Sequence, residues 1–117
     1  MILVTTESVV GRRTIRTLGM VKGNTVRACH IGDDLMAFLK NLVGGELAEY
    51  TEVMAKSREQ AIDRMAEEAR ALGANAVAGI RFSTSYFTQG AAEIMAYGTA
   101  LVVEDLSGLP AEGGSES

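Results

Sequence analysis

The chain carries one cysteine, one histidine and no tryptophan among its 117 residues, and each scarcity removes a class of explanation. A single cysteine closes no disulfide within the chain, which fits a reducing cytoplasm. No apolar run approaches the roughly 20 residues that a membrane-spanning helix needs. The opening MILVTT has neither a basic start nor a cleavage-type sequence, so no secretory signal is expected. No aromatic residue interleaves the arginines near the start, as a surface for single-stranded nucleic acid requires. No segment repeats, and no nucleophile–base pair suggests a catalytic centre. The expectation is a cytoplasmic protein that is not an enzyme, with no catalytic residues and no membrane or nucleic-acid partner.

What is present describes one folded domain. Hydrophobic residues make up 47% of a 12.4 kDa chain, with six methionines and thirteen glycines, which predicts a core of small and adaptable side chains. The domain is expected over residues 1–105, with a flexible acidic tail over 106–117. The net charge of −4 is uneven: residues 1–27 sum to +4 and the remainder to −8. Such a basic segment can attract an external anion, or the acidic remainder of the same or a neighbouring chain.

Hydrophobic period places the elements. Ile2–Thr6 is a short β-rich run. Thr14–Arg27 alternates with period two, Ile15, Thr17, Gly19 and Val21 facing one way and Arg16, Leu18, Met20 and Lys22 the other, with Gly23-Asn24 able to supply a turn or bulge. Asp33 or Asp34 can cap a first helix carrying Leu35, Phe38, Leu39, Leu42 and Val43. A longer helix is expected from about Glu46 to Leu72. Leu47, Tyr50, Met54, Ala61, Met65, Ala69 and Leu72 form its apolar stripe, and Glu49, Glu52, Lys56, Glu59, Asp63, Glu67 and Arg70 its polar side. Gly73 stands where a C-terminal cap belongs.

Ala76–Phe87 and Glu93–Val103 then read as a hairpin turning at Thr88–Ala91. Ala78, Ile80, Phe82 and Tyr86 alternate with Arg81, Ser83 and Ser85. On the return strand one face is small (Ile94, Ala96, Gly98, Ala100, Val102). The other (Met95, Tyr97, Thr99, Leu101, Val103) is also mostly apolar. A strand buried on both faces needs two covers, and the second cover this predicts is another subunit. The fold class is α+β: a small two-layer domain with a mainly antiparallel sheet packed against two helices.

Cys29 and His30 stand side by side. A tetrahedral zinc site takes four cysteine or histidine ligands from pairs spaced two to four residues apart. Adjacent residues diverge to opposite faces of a strand, or by about 100° on a helix, so one chain is badly placed to give both to one metal ion. Copies brought together across subunits can still do so; the alternative is a buried thiol beside a loop histidine. Glu46, Glu49 and Glu52 share a helix face at three-residue spacing, as a cation site, an acid–base pair or a solvated helix start. Gly73-Ala74-Asn75 follows a helix C-terminus, the wrong end for an anion, and reads as a tight turn. Arg81, Glu93, Tyr97 and Thr99 are the polar groups of the hairpin; Arg81 and Glu93 can pair with each other or face a ligand cleft between neighbours. Met54, Met65 and Met95 read as core filler.

Three stretches, Gly44-Gly45-Glu46-Leu47, Leu72-Gly73-Ala74-Asn75-Ala76-Val77 and Ala96-Tyr97-Gly98-Thr99-Ala100, together with Thr25-Val26-Arg27, carry a resemblance. Over residues 1–104 the chain resembles the YbjQ-type family of "putative heavy-metal-binding" domains. The resemblance implies a dodecin-like subunit in a homo-oligomeric ring, commonly a pentamer; its metal label is a family name rather than a mechanism. It supplies no catalytic residues. Cys29-His30 departs from it, because the family more often has polar, non-ligating residues there. Taken with the residues above, the function expected is metal-ion or small-ligand binding at subunit interfaces by a non-enzymatic oligomer, a metal ion being the cofactor candidate, with Glu46, Arg81, Glu93 and Tyr97 as ligand-binding candidates and Cys29 and His30 as metal candidates if shared across subunits. The alternative is a structural or regulatory assembly acting through a protein partner.

Overall fold

A computed structural model describes residues 1–28, 45–86 and 91–106. In chain order the elements are β1 (Ile2–Leu3), β2 (Arg12–Ala28), α1 (Gly45–Ala71), β3 (Ala76–Tyr86) and β4 (Ala91–Asp105). The strands form one mixed sheet in the order β1-β3-β4-β2. β1 pairs parallel with β3, while β4 pairs antiparallel with both β3 and β2. The long helix packs on this sheet as its alternating charges and apolar stripe require. The first helix expected after Asp33 and the tail beyond Leu106 lie outside the described residues.

Small residues decide how close the helix comes. Met54, Ser57, Ala61, Met65 and Ala69 lie buried on the sheet-facing side of α1, spaced by three or four residues. They meet Val21, Gly23 and Thr25 of β2 and Ile94, Ala96 and Ala100 of β4. At Gly23 a Cβ would land on the helix backbone, against the Ala61 carbonyl, the Met65 amide and Arg64 Cβ. A Cβ on Gly98 would stand 2.7 Å from Val77 Cγ1 and 2.9 Å from the Ala78 carbonyl. Burial of the larger side chains around this contact, Val21, Met65, Val77 and Ile94 among them, contributes about 1.5–3 kcal/mol each. The two buried hydroxyls at this contact are satisfied: Thr25 Oγ1 donates to the Ser57 carbonyl at 3.1 Å, and Ser57 Oγ to that of Val53 at 2.9 Å.

The turn from α1 into β3 is built by the stretch LGAN. Gly73 has φ +91°, a left-handed angle that costs other residues about 1–2 kcal/mol. Its N–H reaches the Arg70 carbonyl (2.9 Å) and that of Ala74 the Ala69 carbonyl (3.0 Å), the paired bonds of a Schellman cap. Asn75 then acts as a junction. Its amide donates to Leu101 O (3.1 Å) and its carbonyl accepts from the Ile2 amide (3.0 Å). Its side chain bonds both backbone groups of Val103, at 2.9 and 2.8 Å, copying a strand residue's donor–acceptor pair.

Strict alternation fails in three places. β2 shifts register between Thr14 and Arg16 and between Thr17 and Gly19, and β3 between Ala78 and Arg81. Thr17 and Val21, expected on one face, therefore lie on opposite faces, as do Ala78 and Ile80, which join different clusters. Nor does Gly23-Asn24 form a turn or bulge: β2 runs through it in unbroken register, and Gly23 is there for the helix. The second cover of β4 is also partly the chain's own. Leu101 and Val103 pack beneath Ile2, Val4 and Val9, so at this end the first nine residues do the work expected of another subunit.

Gly23→Ala should cost about 3 kcal/mol or more, at or beyond the usual overpacking range, because helix backbone cannot give way. Gly73→Ala should cost about 1–2 kcal/mol. Chemical denaturation of both variants checks this ordering, and equal losses would contradict the close contact. Asn75→Ala, which strands both backbone groups of Val103, should cost about 1–3 kcal/mol in the same assay.

Candidate functional site: the open face of the sheet

The face of the sheet turned away from α1 is built in cross-strand rows. Because β4 is regular, its outward residues fix those rows, and the register reads Ser85–Glu93–Val26, Ser83–Met95–Asn24, Arg81–Tyr97–Lys22 and Ala78–Thr99–Met20. Three candidates drawn from the sequence, Arg81, Glu93 and Tyr97, thus share one face. Tyr97 stands between two cations, Arg81 on β3 and Lys22 on β2, with strands about 4.8 Å apart.

Of the alternatives for Arg81 and Glu93, a pair across strands of one chain does not form. Tyr97 is opposite Arg81 and Ser85 opposite Glu93, four residues or roughly 13 Å apart along β4. Each has another partner. Arg81 Nη1 donates to the carbonyl of Thr5 and to its own neighbour Ile80, both at 2.8 Å. Glu93 Oε2 accepts from Asn24 Nδ2 at 3.2 Å. Arg81 therefore clips the N-terminal segment onto β3, beside the bonds from Gly79 N to Thr6 O (2.8 Å) and from Ile80 N to Val4 O (3.2 Å). Glu46 falls in the first turn of α1, and its side chain lies outside the described part, as do Cys29 and His30.

Both flanks of the sheet are strand edges. On β2, α1 reaches over the rim: Glu68 Oε1 accepts from the Lys22 amide at 3.2 Å, and Arg64 Nη1 donates to the Asn24 carbonyl. Such side-chain blocking is one way an edge avoids unwanted pairing. On β3 the N-terminal segment pairs only as far as Ile80, and Arg81–Tyr86 are exposed. Apolar side chains remain open at these margins: Met20 is 71% exposed, Val26 56%, Phe82 44% and Tyr86 54%. Phe82 and Tyr86 lie opposite Ala96 and Ala92, on the side of the helix, but α1 lies mainly over β2 and β4.

The basic N-terminal segment is partly used inside the chain. Arg13 forms an ion pair with Glu104 across β2 and β4, and Arg12 is buried. Among the described residues no group of three or more His, Cys, Asp or Glu side chains is placed to hold a metal ion. The described residues thus do not fit a metal site by themselves. No described helix is long and apolar enough to cross a membrane.

Arg81→Ala should speed amide exchange in residues 4–8 severalfold while lowering global stability by no more than about 1 kcal/mol, as for an exposed site. Hydrogen-exchange mass spectrometry checks this; unchanged exchange would show that the Arg81–Thr5 contact holds nothing in place.

The geometry can be set beside known proteins. A UPF0145 protein of Dehalococcoides mccartyi is 55% identical over 104 residues, spanning 89% of this chain and all of that relative. One from Thermus thermophilus is 58% identical over 104 residues, covering 88% of this chain and 91% of its own. A crystal structure of a protein of unknown function from the DUF74 family of Pediococcus pentosaceus superposes with a TM-score of 0.60 at 12% identity, over 89% of this chain and 98% of that one; this likeness concerns the fold alone. The family model described as "Putative heavy-metal-binding" matches residues 1–104, and the chain belongs to that YbjQ-type family.

Proposed function

We propose that this chain is a non-enzymatic, cytoplasmic homo-oligomer, a pentameric ring as the dodecin-like resemblance implies, that binds a metal ion or small ligand where subunits meet. The observation that carries the reading is the uncovered apolar margin of the sheet. Met20, Val26, Phe82 and Tyr86 stand open on two strand edges, and a strand edge with apolar side chains is a template for another chain. The edges differ in character, β2 being capped at Lys22 and Asn24 by Glu68 and Arg64 and β3 open beyond Ile80, so a contact joining their apolar side chains runs head to tail and closes into a ring when its rotation permits. Tyr97, Arg81 and Glu93 would then line the clefts between neighbours. In a ring, copies of Cys29 or His30 can gather to give the soft nitrogen and sulfur donors that a heavy metal takes, which one chain does not provide. Glu46 would add a carboxylate from the start of α1.

The open edge of β3 beyond Ile80 favours a second reading, an assembly that accepts a partner protein's strand by edge addition. Native mass spectrometry of untagged protein, prepared without chelators and repeated after EDTA, separates the two. The expected result is a multiple of the chain mass plus an increment; an EDTA-sensitive increment lost in His30→Ala identifies the metal ligand. A ring with no increment would favour the partner-protein reading, and a monomer would overturn both.

A further inference from the structure

The three bulges that break the alternation converge on one place. On the open face Thr14, Thr17 and Met20 of β2 lie opposite Val103, Leu101 and Thr99 of β4. Steps of three residues on β2 thus match steps of two on β4. In a regular strand Thr14 and Thr17 would point to opposite faces, as would Thr17 and Met20; the first bulge turns Thr14 and Thr17 to the same face and the second brings Met20 to it. On the other side of β4, Ala78 and Arg81 lie opposite Thr99 and Tyr97, the extra residue falling at Gly79 with φ +64°. Bulges sharpen local twist and re-aim side chains. Here they leave β4 from Tyr97 to Val103 flanked by a bulged strand on each side.

The N-terminal segment closes the margin. Gly79 donates its N–H to the Thr6 carbonyl at 2.8 Å, which brings Glu7 beside the bulge. The result is an open depression of about 420 Å³ lined by Glu7, Thr14, Thr17, Thr99, Leu101 and the Ala78-Gly79 backbone, within the ~300–1,000 Å³ range of small-molecule sites. No described residue makes a side-chain hydrogen bond or ion pair with Glu7, Thr14, Thr17 or Thr99.

The lining specifies a ligand. One carboxylate is the only charged group, so an anion is repelled and an ammonium is favoured. A hard divalent ion wants six or more oxygen ligands with several carboxylates, which this site lacks. Three hydroxyls, each both donor and acceptor, suit a molecule that itself carries several hydroxyls. Ala78 and Leu101, both nearly fully buried, close the base of the depression. We propose that this depression binds an amino sugar, its ammonium on Glu7 and its hydroxyls on Thr14, Thr17 and Thr99. The site lies within one chain, so it stands or falls apart from the assembly reading.

The test is saturation-transfer difference NMR on the full chain with glucosamine and, separately, glucose as the uncharged control. The expected result is a glucosamine signal at least fivefold above that of glucose. Glu7→Gln should bring glucosamine down to the level of glucose, and Thr17→Val should weaken glucosamine by severalfold. Glu7 and Thr17 are exposed, so both variants should keep the fold, checked by an unchanged melting temperature. Equal signals from the two sugars, no glucosamine signal, or full glucosamine binding by either variant would overturn the proposal.

Discussion

The fold depends on the distance between one helix and the sheet beneath it. Gly23 leaves no room for a side chain under Ala61 and Met65, and Ala96, opposite it on β4, extends the low floor. Such a close approach lets helix backbone and sheet backbone meet directly. Thr25 then reaches the Ser57 carbonyl, while Arg64 and Glu68 reach over the rim to β2. A bulkier floor would lift α1 and lose all of these contacts together. The larger apolar side chains around the contact supply the burial energy; the small ones set the geometry in which that burial is possible.

The same arrangement divides the work of the two faces. The helix side is spent on stability, with Val21, Met65, Val77 and Ile94 fully buried. The other face is closed at one end only, by the chain's own Ile2, Val4 and Val9 over Leu101 and Val103. Asn75 and Arg81 hold that closure, one by linking Ile2 to β4 and the other by gripping Thr5. Beyond it the rows around Tyr97 and Met95 remain partly open, so function has one face and its margins to use.

How much of this was legible in the sequence follows from where a period survives. From Thr51 onward α1 keeps helical spacing, so the buried positions Met54, Ala61, Met65 and Ala69 could be read directly, and the charged residues from Glu52 to Arg70 on its polar side stayed exposed. β4 is regular, and its small face was legible for the same reason. β2 and β3 were not, because a bulge adds a residue and inverts every side chain after it. Gly19 and Gly79, isolated inside strands and both at positive φ, were the available signals. Leu72, expected in the apolar stripe, is 48% exposed because the cap at Gly73 has already turned the chain. The candidate site was legible only as a set of polar residues. Pairing across strands depends on register, so Arg81 and Glu93 reached the same face without meeting. Asn75 was read as part of a turn, and its strand-like side chain has no signature in one sequence.

In the proposed assembly the open edge of β3 is a surface for another copy of the chain. Hydrogen exchange across Arg81–Tyr86 tests it most directly, since in one chain this segment is paired only with β4. Over a hundredfold range of protein concentration, protection of these amides should rise with concentration while that of Ala61–Ala69 stays constant. Exchange in Arg81–Tyr86 that is fast and independent of concentration, with the protein monomeric throughout, would contradict it.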